Sequence, residues 1–214
     1  ELSWDGPAIA VPSLVAPLAV SVVIPCKEEA RNLEILLPNV VGFAEELIVV
    51  DGHSKDHTRE LAQQHGAKYF LDNRQGKGDG IRVGIEKATR PICVFMDADL
   101  SHDPNDIPKL VQPILDDQAD LVLGSRIRGG GDEFHATFEE MVRLCGNAGL
   151  TWLINMRCGL DLSDSQNGFR AARTALLRRL RLNSKRHTIE TEMTMRAKRS
   201  GARILEVATH EYRR

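Results

Sequence analysis

The sequence predicts an α/β domain with a mostly parallel central sheet flanked by helices. Three observations carry this. Short apolar, β-branched runs alternate with helix-period segments at the spacing of βαβ units. One run, 92–96 (ICVFM), is apolar throughout, as a strand buried on both faces must be. Three runs end in polar or acidic residues that such a sheet would gather at one edge: Cys26-Lys27-Glu28-Glu29, Asp51-Gly52-His53-Ser54 and Asp97-Ala98-Asp99. Ligands of parallel sheets sit beyond the carboxyl ends of the strands, so this coincidence predicts a single shared site.

The elements follow in order. Residues 18–25 (LAVSVVIP) read as the first core strand, and residues 28–37 as a helix stopped near Pro38. Residues 46–50 (ELIVV) form a second strand. The next helix, capped by Ser54 or Asp56, runs to His65 and closes at Gly66. Residues 68–71 are a short third strand, and Gly76-Lys77-Gly78-Asp79-Gly80 opens a helix to about Ala88. Strand 92–96 is followed by a turn with Asp103 or Asn105 as cap, a helix near 105–117 and a strand at 119–123. Residues 128–132 (RGGGD) read as a loop suited to a lid, and 134–156 as a long helix. Loop 159–168 leads to 169–172, helices at 174–180 and 189–200, and a last strand at 203–208.

With 214 residues, 42% hydrophobic and 27% charged, the chain is sized for one globular core. The apolar stretch 8–24 is interrupted by Pro12 and Pro17 and lacks a basic leader, so 1–17 reads as an extended arm rather than a membrane span or signal peptide. Opening on Glu1 and stopping at Arg213-Arg214 leaves room for a longer chain. Net charge is −2 but uneven: residues 170–214 carry 13 Lys/Arg against 4 Asp/Glu, a surplus suited to anionic phosphate, a membrane surface or a solvated helix face. Cys26, Cys93, Cys145 and Cys158 form no Cys-x-x-Cys pair, which argues for reduced cytosolic thiols and against a zinc site or disulfide framework.

The chemistry-bearing residues sit at the strand ends. Asp97 and Asp99 are two apart, so in extended backbone they point to one side. Paired carboxylates there suit Mg2+ or Mn2+, hard ions that take oxygen ligands and share them with substrate phosphates. Lys77, among glycines at a helix start, can approach a phosphate, although the stretch lacks the full P-loop spacing. Arg126 and Arg143 are candidate phosphate clamps. The polar loop holding Asp164 and Gln166, and the helix holding Glu190 and Glu192, are further candidates to line the site.

Taken in sequence, these motifs resemble glycosyltransferase family 2 and its GT-A fold, a Rossmann-like sheet in a single domain. They run from Val22-Val23-Ile24-Pro25-Cys26-Lys27-Glu28-Glu29 through Val49-Val50-Asp51-Gly52-His53-Ser54, Gly76-Lys77-Gly78, Met96-Asp97-Ala98-Asp99, Gly124-Ser125-Arg126 and Asp164-Ser165-Gln166-Asn167-Gly168-Phe169-Arg170. The branch most similar is that of the dolichol- or polyprenyl-phosphate sugar transferases. Glu28 stands where the family's opening motif usually has Asn.

The resemblance implies a nucleotide-binding part over about 18–124 and an acceptor part over about 125–214. Pro25, Cys26, Glu29, Asp51, Lys77, Asp97 and Ala98 would hold the donor, a UDP- or GDP-sugar. Asp97 and Asp99 would bind metal and diphosphate. Ser101 stands where a Gln helps hold the metal in the dolichol-phosphate mannose branch, and it is shorter. Arg126 and Arg143 would receive the acceptor phosphate.

The implied activity is metal-dependent, inverting sugar transfer to a polyprenyl phosphate, at the cytoplasmic face of a membrane, with no nucleic-acid partner. A hydroxyl acceptor would instead require a carboxylate base such as Asp164 or Glu192. The other readings are a nucleotide-sugar-binding module without turnover and a nucleotidyltransferase. The latter lacks its N-terminal Gly-rich triphosphate loop here.

Overall fold

The computed structural model describes residues 17–130, 138–185 and 188–212, and the side chains of residues 138–144 fall outside the description. The expected arm 1–17 lies almost wholly outside the described residues. Seven strands form one sheet: β1 (Leu18–Cys26), β2 (Ala44–Asp51), β3 (Lys68–Leu71), β4 (Ile92–Phe95), β5 (Leu121–Ser125), β6 (Arg170–Arg173) and β7 (Ile204–Ala208). Their order across the sheet is β3-β2-β1-β4-β6-β5-β7. All run parallel except β6, which is antiparallel to both β4 and β5.

Both faces of the sheet are covered, which is why its central strands are apolar throughout. On one face, Val20, Val22, Ile24, Val49 and Val94 pack against α1 (Ala30–Val40), α2 (Thr58–Gln64) and α4 (Ile107–Leu115), through residues such as Leu33, Leu37, Ala62, Leu110 and Ile114. On the other, Val23, Ile48, Val50, Cys93 and Phe95 meet α3 (Lys77–Lys87), α7 (Thr174–Leu180) and α8 (Ile189–Arg199). The alternation of neighbours such as Val22 and Val23 between faces is the period of two of a strand. At Gly84 helix α3 lies so close to β1 that a Cβ would overlap the Val23 side chain.

Two further α-helices occur among the described residues, α5 (Arg126–Gly129) and α6 (Phe138–Cys158). Among the described residues no helix is long and apolar enough to cross a membrane.

Several boundaries differ from the sequence expectation for identifiable reasons. Helix α1 passes through Pro38 instead of stopping there: one backbone bond is lost, but Val40 is buried and the Val41 N–H still reaches Leu37 O at 3.1 Å. Ser54 does not cap α2, because its hydroxyl donates to Asp51 at 2.5 Å; Asp56 accepts instead from Thr58 N–H and Oγ1, at 3.2 and 2.6 Å. Residues 128 and 129, expected in the loop 128–132, belong instead to the short helix α5, with Ser125 Oγ accepting the Arg128 N–H at 3.2 Å. Gly129 lets this turn lie directly on the Thr209 backbone, where a Cβ would collide. Residues 131 and 132 of the expected lid, and residues 134–137 of the expected long helix, lie outside the described residues. Asp103 does cap the turn after β4, accepting the Asn105 N–H at 2.9 Å.

At the amino ends of the strands, buried Glu46 ties four segments together. It accepts from Ser21 of β1, from Thr89 N–H and Oγ1 at 2.7 and 2.8 Å, and from Lys68 of β3 at 2.6 Å. Burial opposes its ionisation, but the bonds from Lys68, Ser21 and Thr89 prevail and hold the carboxyl at about 2, below its ordinary 4.5. A depressed carboxyl contributes stability that is complete above the unfolded value and fades as pH falls through the folded one. The Glu46 contribution should therefore be full above pH 4.5 and be lost between there and about 2. Glu46→Gln should cost about 2–3 kcal/mol at neutral pH and flatten this acid limb, measured by denaturant unfolding across pH.

Candidate active site

The carboxyl ends of β1, β2, β3 and β4 all lead into loops that use left-handed backbone at a non-glycine residue: Glu28, His53, Arg74 and Leu100. Such conformations cost energy outside glycine and persist where surrounding structure enforces them, often beside ligand sites. They rim a cleft of about 630 Å³ whose lining includes Pro25, Cys26, Glu29, Lys77, Asp97, Ala98 and Asp99, all expected from the sequence. The lining also holds Lys27, His53, Lys55, Asp72 and Arg74, which sequence reasoning did not single out. Asp79 shapes this rim from beneath, accepting the Asn73 N–H at 2.6 Å and the Arg82 guanidinium at 2.7 Å. Burial, then the Asp51 charge, pushes the Cys26 thiol far up, so it stays neutral.

Asp51, expected to hold the donor, is not among the residues that line this cleft. It is 1% exposed, and its carboxylate accepts from Ser54 N–H at 3.0 Å, Ser54 Oγ at 2.5 Å and Tyr69 Oη at 2.5 Å. It shapes the turn after β2.

Lys77, Asp97 and Glu190 form the centre of the site. Lys77 Nζ lies 2.7 Å from Asp97 Oδ1 and 3.1 Å from Glu190 Oε1. Burial weakens the ammonium, but the two carboxylates outweigh it and hold Lys77 above its ordinary value. Gly168 closes against this cluster: a Cβ there would stand 2.9 Å from Asp97 Oδ2 and 3.2 Å from Lys77 Nζ.

A second cleft of about 270 Å³ is lined by Lys77 and Asp97 again and by His102, Arg126, Gln166, Asn167, Gly168, Glu190 and Glu211, among others. Arg126 is gripped by Asp164, Nε to Oδ2 at 2.6 Å and Nη2 to Oδ1 at 3.1 Å, and lies 3.0 Å from Glu211. Glu206 on β7 in turn accepts the N–H groups of Ser163 and Asp164 at 2.9 and 2.7 Å. Gln166 lines this cleft, bonded to Ser165 and Thr191.

His102 is buried and stacked on Phe169 with ring centroids 4.8 Å apart. Its Nδ1 accepts the Asp97 N–H at 3.3 Å, so Nε2 carries the proton toward Asn167 Oδ1 at 3.2 Å; burial keeps the ring neutral. Fully buried Arg170 anchors the loop from below, donating to the carbonyls of Asn167, Ser165 and Glu190. Burial lowers its pKa, and these carbonyls compensate the buried charge.

Three expected residues take other positions. Ser101 is fully buried and donates to Asp99 Oδ1 at 2.6 Å, so it orients that carboxylate rather than standing beside it as a ligand. Asp164, a candidate base, is committed to Arg126. Glu192 turns away from both clefts to accept the N–H groups of Asn183 and Ser184 and to pair with Arg196 at 2.8 Å. Glu190, its neighbour two residues earlier, faces the site instead. Residues two apart on a helix point about 200° apart, and the buried row Glu190, Thr194, Ala197 is the signal that distinguishes them. Arg143 sits on α6, and its side chain lies outside the described residues.

The donor set presented to a metal consists of oxygens, the carboxylates of Asp97 and Asp99 on one cleft wall. Among the described residues no group of three or more His, Cys, Asp or Glu gathers as a ligand set. Two carboxylates and no closed cage fit a hard divalent ion that shares its coordination with a substrate's phosphates.

The family model for glycosyl transferase family 2 matches residues 21–182. The chain belongs to this family. It is 34% identical over 190 residues to an uncharacterized glycosyltransferase of Mycobacterium tuberculosis, covering 88% of this chain and 83% of that protein. It is 32% identical over 206 residues to the undecaprenyl-phosphate mannosyltransferase of Micrococcus luteus, covering 89% and 82%. Its fold is similar to that of glucosyl-3-phosphoglycerate synthase from M. tuberculosis, solved with Mn2+, UDP and glucosyl-3-phosphoglycerate, with a TM-score of 0.71 at 23% identity over 97% of this chain and 77% of that one. The protein is a glycosyltransferase of the GT-A fold.

Because Gly168 is pressed against Asp97 and Lys77, Gly168→Ala should lower transfer at least about tenfold while shifting stability by no more than about 1 kcal/mol. Glu192→Gln should do the reverse, leaving turnover within about twofold and lowering the melting temperature. Parallel kinetics and thermal melts on the two variants check both.

Proposed function

We propose that this glycosyltransferase moves a sugar, with inversion, from a UDP- or GDP-sugar to a polyprenyl phosphate, assisted by Mg2+ or Mn2+. The observation that carries the reading is the shared wall: Lys77 and Asp97 line both clefts, so a donor in the larger and an acceptor in the smaller would meet at that wall. A divalent ion held by Asp97, Asp99 and the donor's diphosphate would offset the charge on the departing nucleoside diphosphate.

Within the chain, Ser101 holds the Asp99 carboxylate in one orientation, and Lys77 braces Asp97. Lys27, Lys55 and Arg74 add positive charge around the larger cleft, suited to a diphosphate. Arg126, braced by Asp164, brings a guanidinium to the lining of the acceptor cleft. A phosphate nucleophile is ionised at neutral pH and requires no general base. That agrees with both carboxylates expected to serve a hydroxyl acceptor being engaged elsewhere, Asp164 with Arg126 and Glu192 with the 183–184 backbone. The name of the Micrococcus luteus relative supports the same acceptor class. On this reading residues 18–124 serve the donor and 125–214 the acceptor, at a membrane surface where the lipid resides.

Asp99→Ala should lower transfer to undecaprenyl phosphate by about 100-fold or more, a loss of ~3 kcal/mol of charge stabilisation. Turnover near that of the wild type, still stimulated by Mn2+, would reject the assignment. Arg126→Ala should raise the KM for the lipid phosphate while leaving that for the nucleotide sugar within about twofold, measured by varying each substrate in turn.

A further inference from the structure

Two buried polar atoms on the smaller cleft, Glu190 Oε2 and Asn167 Nδ2, have no hydrogen-bond partner among the described residues. Glu190 places Oε1 on Lys77, but Oε2 accepts no hydrogen bond, although the side chain is only 6% exposed. Asn167, 3% exposed, accepts the Phe169 N–H on Oδ1 at 2.9 Å. A backbone N–H must meet the amide oxygen, which sets the orientation of the amide and leaves Nδ2 as its unsatisfied atom. Each unsatisfied buried group costs about 1–3 kcal/mol. Both residues line the same cleft beside Lys77 and Asp97.

The two atoms are complementary in kind: Oε2 only accepts and Nδ2 only donates. A phosphate would satisfy the amide and be repelled by the carboxylate; an ammonium would do the opposite. A hydroxyl donates and accepts, and satisfies both. The reacting end of a polyprenyl phosphate carries no alcohol, whereas the sugar of the donor carries several. Lys77 and Asp97 belong to both clefts, which puts this pair next to where the diphosphate-linked sugar must lie. We infer that Glu190 Oε2 and Asn167 Nδ2 form a subsite that reads hydroxyl groups of the transferred sugar. The inference rests on the sugar-transfer reading above and adds to it a determinant of which sugar is accepted. A site built to bond a hydroxyl discriminates strongly against an analogue that lacks it. Lys77 makes the subsite tenable, since it neutralises a carboxylate that burial would otherwise penalise.

Calorimetric titration of the whole chain with Mn2+ tests this, comparing UDP with UDP-glucose and GDP with GDP-mannose. The readout is the ratio of affinities for the sugar nucleotide and the bare nucleotide, which cancels effects on diphosphate binding. The wild type should show a ratio above one for at least one pair. Glu190→Gln and Asn167→Asp, which retain size and the Phe169 bond, should each lower that ratio by about tenfold. An unchanged ratio in both folded variants, or a wild-type ratio of one for both pairs, overturns the subsite and leaves the transfer reading standing. Binding of none of the four ligands overturns both. Should the variants fail to fold, mono-deoxy forms of the preferred sugar nucleotide are titrated into the wild type. A tenfold loss for at least one of them supports the subsite, and equal affinity for all overturns it.

Discussion

The site depends on one ammonium group shared by two carboxylates from opposite parts of the chain. Lys77 begins helix α3, Asp97 follows strand β4, and Glu190 begins helix α8. None of the three charges could be buried alone; together they satisfy one another at 2.7 and 3.1 Å. The arrangement docks the C-terminal helices onto the strand ends and sets the boundary between the two clefts. Gly168 follows from it, because the 164–168 loop has to pass within van der Waals distance of the pair. Arg170 supports the same loop from beneath with bonds to carbonyl oxygens.

Much of this was legible in the sequence because it depends on local pattern. The apolar runs located the parallel strands, and their polar ends located the larger cleft. Pro25, Cys26, Glu29, Lys77, Asp97, Ala98 and Asp99 all line it. What was not legible depends on direction and partnership. Strand β6 runs antiparallel to both its neighbours, and its short run RAAR carries no mark of orientation. Asp51 and Asp164 are the residue types a site requires, yet neighbours at hydrogen-bonding distance engage them. Glu190 and Glu192 differ only in which side of a helix each occupies.

The basic surplus of the C-terminal region illustrates the same point. Counted along the sequence it suits an anionic ligand or surface. In the fold, Arg170 is buried, Arg178 donates to Ala88 O, Arg196 to Leu180 O, and Arg173 and Arg203 pair with Asp117 and Asp120. These side chains tie helices and strands together. The cations that line the clefts are instead Lys27, Lys55, Arg74, Lys77 and Arg126.

Past β7, the Thr209 N–H bonds Ser125 O, Glu211 bonds Gly130 O, and Tyr212 bonds Ser101 O. This segment threads between the loops that follow β5 and β4, and it brings Glu211 to Arg126. As the chain leaves the ribosome, β1 to β4 can pair early, since they are contiguous in sequence and neighbours in the sheet. The smaller cleft, by contrast, stays incomplete until residue 211 has emerged. A nascent chain thus acquires the walls of the larger cleft well before it can complete those of the smaller one.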